Sequence, residues 1–435
     1  MERFSNLPIP ATLENRHQLL KTGIWIYFIL LIFEGALRKW FLPGFSAPLL
    51  IIRDPVAVWL IAVAWKNNQI VPSVYLKAML VVTLIGIGTG LIFGHGNVAV
   101  ILFGARILLL HFPLIFIMGR VLNSEDVMRI GRVMLWISIP MIIIITLQFF
   151  SPQSAWINRG VGGDPDGAGF SGALGYFRPP GTFSFTNGNT LFFSFLSVFV
   201  LYFWFNQGAN RILWIFATLA LTASIPFSIS RGLFFSVIIS IVFALVAVLI
   251  DKSKPSYTIL IIGLVLSSFI FLISQFELLK APLEAFTSRF DTASDIEGGL
   301  EGTLIDRYLG DLITSFTSDP NLPFWGYGMG MGTNVGSTLL TGARSFLIAE
   351  GEWGRLIGEL GILLGSLVIL IRLGFCLSLT LKSYQFLRAG SSLPWFMLSF
   401  VLLNVPQGQW AQPTALGFAV FSGGLLMASF NSEDT

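Results

Sequence analysis

The chain has 435 residues, 54% of them hydrophobic and only 11% charged, with a formal net charge of +3. An ordinary soluble domain carries roughly a quarter charged residues, so there is too little charge here to cover a water-facing surface. A soluble globular enzyme and a disordered chain are both excluded, and apolar runs of bilayer-spanning length point to an all-α polytopic membrane protein.

The first 22 residues are polar, contain Pro8 and Pro10, and show no cleavable signal pattern, so the first span is expected to be a retained anchor. About twelve spans follow, near 23–37, 47–65, 74–93, 98–118, 130–150, 190–206, 212–229, 232–250, 258–276, 356–375, 392–405 and 414–430. Thirteen Lys and Arg residues fall on the side of the N-terminus and five in the short loops opposite. The positive-inside rule then puts both termini in the cytoplasm and the two long loops, 151–189 and 277–355, outside. Three regions result: a transmembrane bundle of about nine helices over 1–276, a large outer loop over 277–355, and about three C-terminal helices over 356–435.

Early in the chain, Glu34, Arg38 and Lys39 have helical pairing distances, and Arg53-Asp54 opens the second span; structural pairing is expected of both. His95 lies in an outer turn, Gly94-His-Gly-Asn97, where it would meet an outer substrate. Arg106 and His111 lie in the fourth span, where a bundle-facing arginine satisfied by carbonyls is expected. The single cysteine, Cys376, excludes an intrachain disulfide, and no His/Cys cluster has zinc spacing.

The first long loop ends in Arg178-Pro-Pro-Gly-Thr-Phe-Ser-Phe-Thr-Asn187-Gly-Asn189, irregular backbone rich in donors that runs straight into a span. Arg231 stands in Phe227-Ser-Ile-Ser-Arg-Gly, a tight turn between two apolar runs. Charges at such places are costly and are read first as functional. A guanidinium is a planar fork of five donors that fits phosphate oxygens, so Arg178 and Arg231 are candidate ligands of a lipid-linked diphosphate. Each has a plainer alternative, snorkelling to the interface or capping helix carbonyls.

The segment 277–355 holds eleven of the 23 acidic residues and an amphipathic stretch at 304–316, expected to lie on or over the bundle. Its glycine-rich run, Gly326-Tyr-Gly-Met-Gly-Met-Gly332, follows no strand, so it is read as a flexible turn near substrate and not a dinucleotide fingerprint. Next comes Arg344 through Glu350, Glu352, Arg355 and Glu359. The last three share one helical face at the mouth of the tenth span. Glu350 and Glu352 are the candidate general bases for a sugar hydroxyl. Arg344, Arg355, Asn187 and Asn189 are further candidates for substrate contacts. The alternative is an ion-pair network that fixes the helix entrance.

Taken in order, the Arg178…Gly181-Thr-Phe183 helix start with Asn187 and Asn189, Ser230-Arg231-Gly232, Gly326–Gly330 and Glu359-Leu-Gly-Ile-Leu-Leu-Gly365 resemble the O-antigen ligase and O-antigen polymerase superfamily of bacterial envelope proteins. The resemblance covers about 175–365 and the overall layout. It implies a GT-C-like bundle in the inner membrane and metal-independent, inverting glycan transfer, without a cofactor. The donor would be an undecaprenyl-diphosphate-linked oligosaccharide, and Arg178 and Arg231 would match the diphosphate-binding positions. Implied partners are this lipid-linked oligosaccharide, the bilayer and polysaccharide export or flippase machinery; nucleic acid is not among them. Family ligases carry a histidine in the large loop and 277–355 has none, which favours an exopolysaccharide or O-antigen polymerase over a ligase. Arg178 with Gly188 and Arg344 with Gly354 also show the Arg–nine residues–Gly spacing described for polymerases. The reading from a different class is a secondary transporter of an anionic or amphipathic solute, which calls for broken helices and polar residues near the midplane.

Overall fold

The computed structural model describes residues 11–70, 72–206, 210–250, 276–297, 311–317, 321–342, 347–349 and 351–431. Arg344, Glu350, residues 304–310 of the amphipathic stretch and nearly all of the span expected at 258–276 lie outside them. The described chain is mostly helical. Its helices are α1 (Ala11–Ala36), α2 (Ser46–Leu49), α3 (Arg53–Lys66), α4 (Val74–Ile92), α5 (Val98–Arg106), α6 (Phe112–Val121), α7 (Ser124–Phe150), α8 (Thr186–Asn206), α9 (Arg211–Ser228) and α10 (Arg231–Ile250). After these come α11 (Glu277–Glu297), α12 (Asp311–Thr317), α13 (Asn334–Thr341), α14 (Glu352–Arg388), α15 (Leu393–Asn404) and α16 (Pro413–Ala428). The only described strands are β1 (Phe170–Ser171) and β2 (Phe177–Arg178), which form an antiparallel hairpin.

Nine helical segments among the described residues are long and apolar enough to cross a membrane, with α15 and α16 as shorter apolar helices. This is a polytopic helical membrane protein. Outward faces carry large apolar side chains such as Val81, Leu84, Leu147, Ile215, Leu249 and Leu370, as lipid contact requires. Close packing inside comes from small residues. A methyl group on Gly119 would overlap Met427, and one on Gly424 would meet Met118, so α6 and α16 approach where they lack side chains.

Hydrogen bonds define the two ends of the bundle. At one, Asn431 donates to the carbonyls of Gly119 and Leu122, and Lys21 pairs with Asp126 at 2.6 Å. At the other, here the loop end, the N–H of His95 donates to Tyr327, Lys39 reaches Gly181, and Arg53 reaches the carbonyl of Pro413.

The region expected as one span at 356–375 differs from that expectation. Gly361 has φ 74° and ψ 173°, which no helix contains, and the chain folds back there. In a straight helix Glu352 and Arg372 would stand about 30 Å apart, yet their side chains bond at 2.8 Å. A methyl on Gly365 would likewise touch the backbone of Leu356 and Ile357. Thus α14 is two arms, 352–360 and 362–388, and only the second has spanning length. The bend leaves the carbonyls of Gly358 and Glu359 without helical donors, and the N–H groups of Tyr327 and Gly328 supply them at 2.8 and 3.0 Å.

The last two expected spans are also shorter than a bilayer. α15 has 12 residues and α16 has 16, against about 20 for a full crossing. The connection 405–412 sinks into the bundle, where Trp410 is fully buried and its indole N–H donates to Asn404. Irregular backbone at that depth is tolerated only when protein surrounds it.

Candidate functional site

Arg178 is positioned from beneath by buried polar groups. The side-chain amide of Gln148 clamps Gly181, accepting from its N–H at 2.7 Å and donating to its carbonyl at 3.1 Å. Lys39, brought inward by the wide π turn Leu37–Phe41, donates to the same carbonyl at 2.7 Å. Asn189 is buried and donates to Pro179 at 3.3 Å, so it supports the loop instead of facing outward. Asn187 is half-buried in the first turn of α8. Thr182 donates to Ile32, and Gly35 leaves room for the backbone of Phe183 and Ser184 against α1. Together these contacts fix Arg178 at the end of β2, half-buried at the loop end.

The turn that precedes Arg231 is brought to the same place. α9 ends at Ile229, a β-branched residue held in the left-handed region (φ 47°, ψ 38°). Such a conformation is a genuine outlier, of the kind that surrounding packing must enforce. Ser230 then caps α10 through the N–H of Leu233 and accepts from the hydroxyl of Thr190 at 3.1 Å. Between β1 and β2, the Cβ position of Gly172 lies 2.7 Å from Cδ1 of Ile229 and 3.5 Å from Cγ of Arg178. The hairpin is itself held by Tyr176, stacked on Phe149 at 4.6 Å, which in turn meets Phe227 of α9. The turn before Arg231 and the strand ending in Arg178 therefore meet at Gly172.

Another arginine, one that sequence reasoning missed, reaches Gly172. Arg289 of α11 donates to the carbonyl of Gly172 at 3.1 Å. No pattern connects residues 117 positions apart. The one available signal is that Phe286 and Phe290 flank it, and these pack on Phe234 and Phe235 of α10.

The carboxylate cluster takes the form of an ion-pair network inside the bundle. Glu352 accepts from Arg355 (2.7 and 3.0 Å), from Arg372 (2.8 Å) and from the backbone N–H of Trp410 (3.0 Å). Arg355 also donates to Glu359 (2.7 Å), which accepts the N–H of Gly332 (2.9 Å). Arg372 lies over the Trp410 ring at 3.8 Å. All four charged groups are buried. Both oxygens of Glu352 are thus occupied by donors, an arrangement that anchors the folded-back arm. Sequence reading put this cluster at the helix mouth; the fold-back carries Glu352 to the level of Arg372, about 16 Å below the bend by helix rise. A small cleft lined by Asn334, Glu352, Arg355, Gln409 and Gln412, among others, opens beside it.

The glycine-rich run is a packed strap. Gly330 fits against the carbonyl of Val100, and Gly104 leaves room for its N–H. His95 clasps the strap: its Nδ1 accepts from the Asn97 N–H (3.0 Å), so Nε2 carries the proton and donates to Met329 (3.2 Å). This histidine is engaged structurally. Arg106 is satisfied by the carboxylate of Asp54 (2.7 and 2.8 Å) and not by carbonyls, and His111 joins Asp54 to Tyr27. Glu34 pairs with both Arg38 and Arg53.

Compared with models of known families and with curated proteins, the chain matches neither.

Proposed function

We propose that this protein is a GT-C-like membrane glycosyltransferase that moves a glycan from a polyprenyl-diphosphate carrier to an acceptor sugar hydroxyl. The reading places it in the bacterial inner membrane with the loop end outside, as a polymerase of the O-antigen or exopolysaccharide type. The observation that supports it best is the meeting of the Arg178 strand and the Arg231 turn at Gly172. Arg231 stands at the first residue of α10, directly after that turn.

In this reading the acceptor oxygen attacks the anomeric carbon on the face opposite the leaving group. The bond from that carbon to the carrier oxygen breaks, and its electron pair leaves with the diphosphate. Arg178 and Arg231 stabilise the charge that grows on the leaving group. The acceptor proton passes to a carboxylate. Because Glu352 is saturated with donors, Glu350 is the better proposal for that base. A single displacement inverts the anomeric centre and requires no metal. Transfer to a different acceptor, as in a ligase, uses the same steps.

The experiment is replacement of Arg178 or Arg231 by alanine in cells that make the polymer. Loss of polymer at unchanged membrane levels of the protein is expected, with partial retention in the lysine variants. Normal polymer length and amount in both alanine variants would overturn the reading. Secondary transport has one observation in its favour, the interrupted α14 with charges between the bundle ends. Those charges are, however, paired with one another. Uptake driven by an ion gradient in vesicles would favour transport instead.

A further inference from the structure

We propose that His95 is a proton-sensitive clasp on the glycine-rich strap, closed near neutrality and open in acid, and that it acts through the strap on the bend of α14. The inference is independent of the reaction proposed above. Three observations carry it. Both ring nitrogens of His95 are engaged by backbone groups of fixed polarity: Nδ1 accepts from the N–H of Asn97 at 3.0 Å, and Nε2 donates to the carbonyl of Met329 at 3.2 Å. Of the three histidines, His17 and His111 lie within spanning segments, whereas His95 stands half-buried in the turn between two of them. The strap that it holds makes the hydrogen bonds on which the bend depends. Tyr327 and Gly328 donate to the carbonyls of Gly358 and Glu359, and the N–H of Gly332 donates to the Glu359 carboxylate.

Only the neutral ring fits this arrangement. Protonation puts a hydrogen on Nδ1, so the acceptor facing the Asn97 N–H becomes a second donor. That N–H is held in place, because the Asn97 side chain caps α5 by accepting from Ala99 and Val100 at 3.1 and 3.3 Å. Gly328 brings the strap backbone against the ring, its Cβ position lying 2.7 Å from Cδ2 of His95. Among the described residues, no charged group on the elements packed around His95 is placed to hold an imidazolium. Lys77 is at the opposite end of α4, and Arg106 of α5 is paired with Asp54. Glu352, Arg355 and Glu359, on the first arm of α14, are paired with one another. Tyr327 meets His95 through its backbone carbonyl. Histidine ordinarily changes charge between pH 5 and 8. The proton binds the opened clasp better than the closed one, so by linkage the clasp holds above that range and is released as the pH falls through it. Release frees the strap and leaves the bend carbonyls without their donors. With the loop end outside, the clasp reads the acidity of the medium, and acid loosens the bend that sets Glu352 level with Arg372.

The test uses the full-length protein in phosphatidylcholine nanodiscs and follows amide hydrogen exchange by mass spectrometry at pH 7.5 and pH 5.5. Rates are corrected for the intrinsic pH dependence of exchange. Peptides covering Tyr327–Met329 report the strap, and a peptide from α8 serves as control. In the wild type, strap exchange is expected to rise by about fivefold or more at the lower pH, the loss of one hydrogen bond, while α8 stays unchanged. His95→Gln keeps a donor for the Met329 carbonyl but gains no proton, so its strap should exchange at nearly the same corrected rate at both pH values. His95→Ala has no clasp and should exchange fast at both, which separates the clasp from any pH effect arising at His17 or His111. Equal corrected rates in the wild type at the two pH values would overturn the proposal. So would an acid-induced rise of the same size in His95→Gln or His95→Ala, or a rise in the wild type shared equally by the α8 peptide.

Discussion

Replacing Gly361 by alanine attacks the bend that brings Glu352 level with Arg372. The backbone at Gly361 (φ 74°, ψ 173°) lies in a region essentially reserved for glycine, and forcing an L-residue there costs about 1–3 kcal/mol. The added methyl would also overlap the carbonyl oxygen of Phe324 and lie 2.7 Å from the Gly326 nitrogen. Both obstacles are backbone of a strap hydrogen-bonded to Gly358 and Glu359, so neither yields as a flexible side chain would. Overpacking of this kind adds about 1–3 kcal/mol. The sum is a loss of roughly 2–6 kcal/mol, read as a lowered midpoint of thermal unfolding in detergent. Gly88→Ala is the companion variant. Gly88 is helical with nothing near its Cβ position, so alanine there should be neutral or stabilising by up to about 1 kcal/mol. Gly361→Ala melting together with wild type would refute the fold-back as a glycine-dependent bend.

Arg372→Met removes a fully buried partner of Glu352 and is expected to destabilise by about 3 kcal/mol, the low end for a broken buried pair, because Arg355 and Trp410 remain on the carboxylate. In a Glu352→Gln background the same change should cost less by about 1 kcal/mol or more, measured by thermal unfolding. Orientation is open to cysteine labelling, since the native Cys376 is buried and gives little background. Leu174→Cys, at the exposed tip of the hairpin, should react with a membrane-impermeant maleimide in intact cells, and Ala389→Cys only after permeabilisation. The opposite pattern would invert the topology.

Much of the helical layout was legible because apolar runs between Gly, Pro and charged breaks report the bilayer directly. The pairing of Glu34 with Arg38 was legible too, being local helical spacing. The fold-back was not. Leu360 to Ile371 reads as apolar sequence interrupted only by small residues, and a periodicity argument cannot distinguish one helix from two arms joined at a glycine. Arg372 was the overlooked sign: a cation in an apolar run, with no carboxylate one turn away on either side, has to find one elsewhere in the fold. The spacing of Glu352, Arg355 and Glu359 gave their shared face but not their depth, which depends on the bend. Arg178 and Arg231 could be singled out by their irregular surroundings. Arg289 sits in a helix that resembles a solvated acidic segment, and its partner is a backbone carbonyl with no signature in sequence.

The central claim is tested most directly by reconstitution. Purified protein in liposomes would be given a polyprenyl-diphosphate-linked oligosaccharide, and glycan length and released polyprenyl diphosphate followed together. Lengthening glycan with stoichiometric release of the diphosphate carrier, abolished in Arg178→Ala and Arg231→Ala, is the predicted result. No lengthening and no release by folded wild-type protein, or undiminished transfer in both alanine variants, would contradict it.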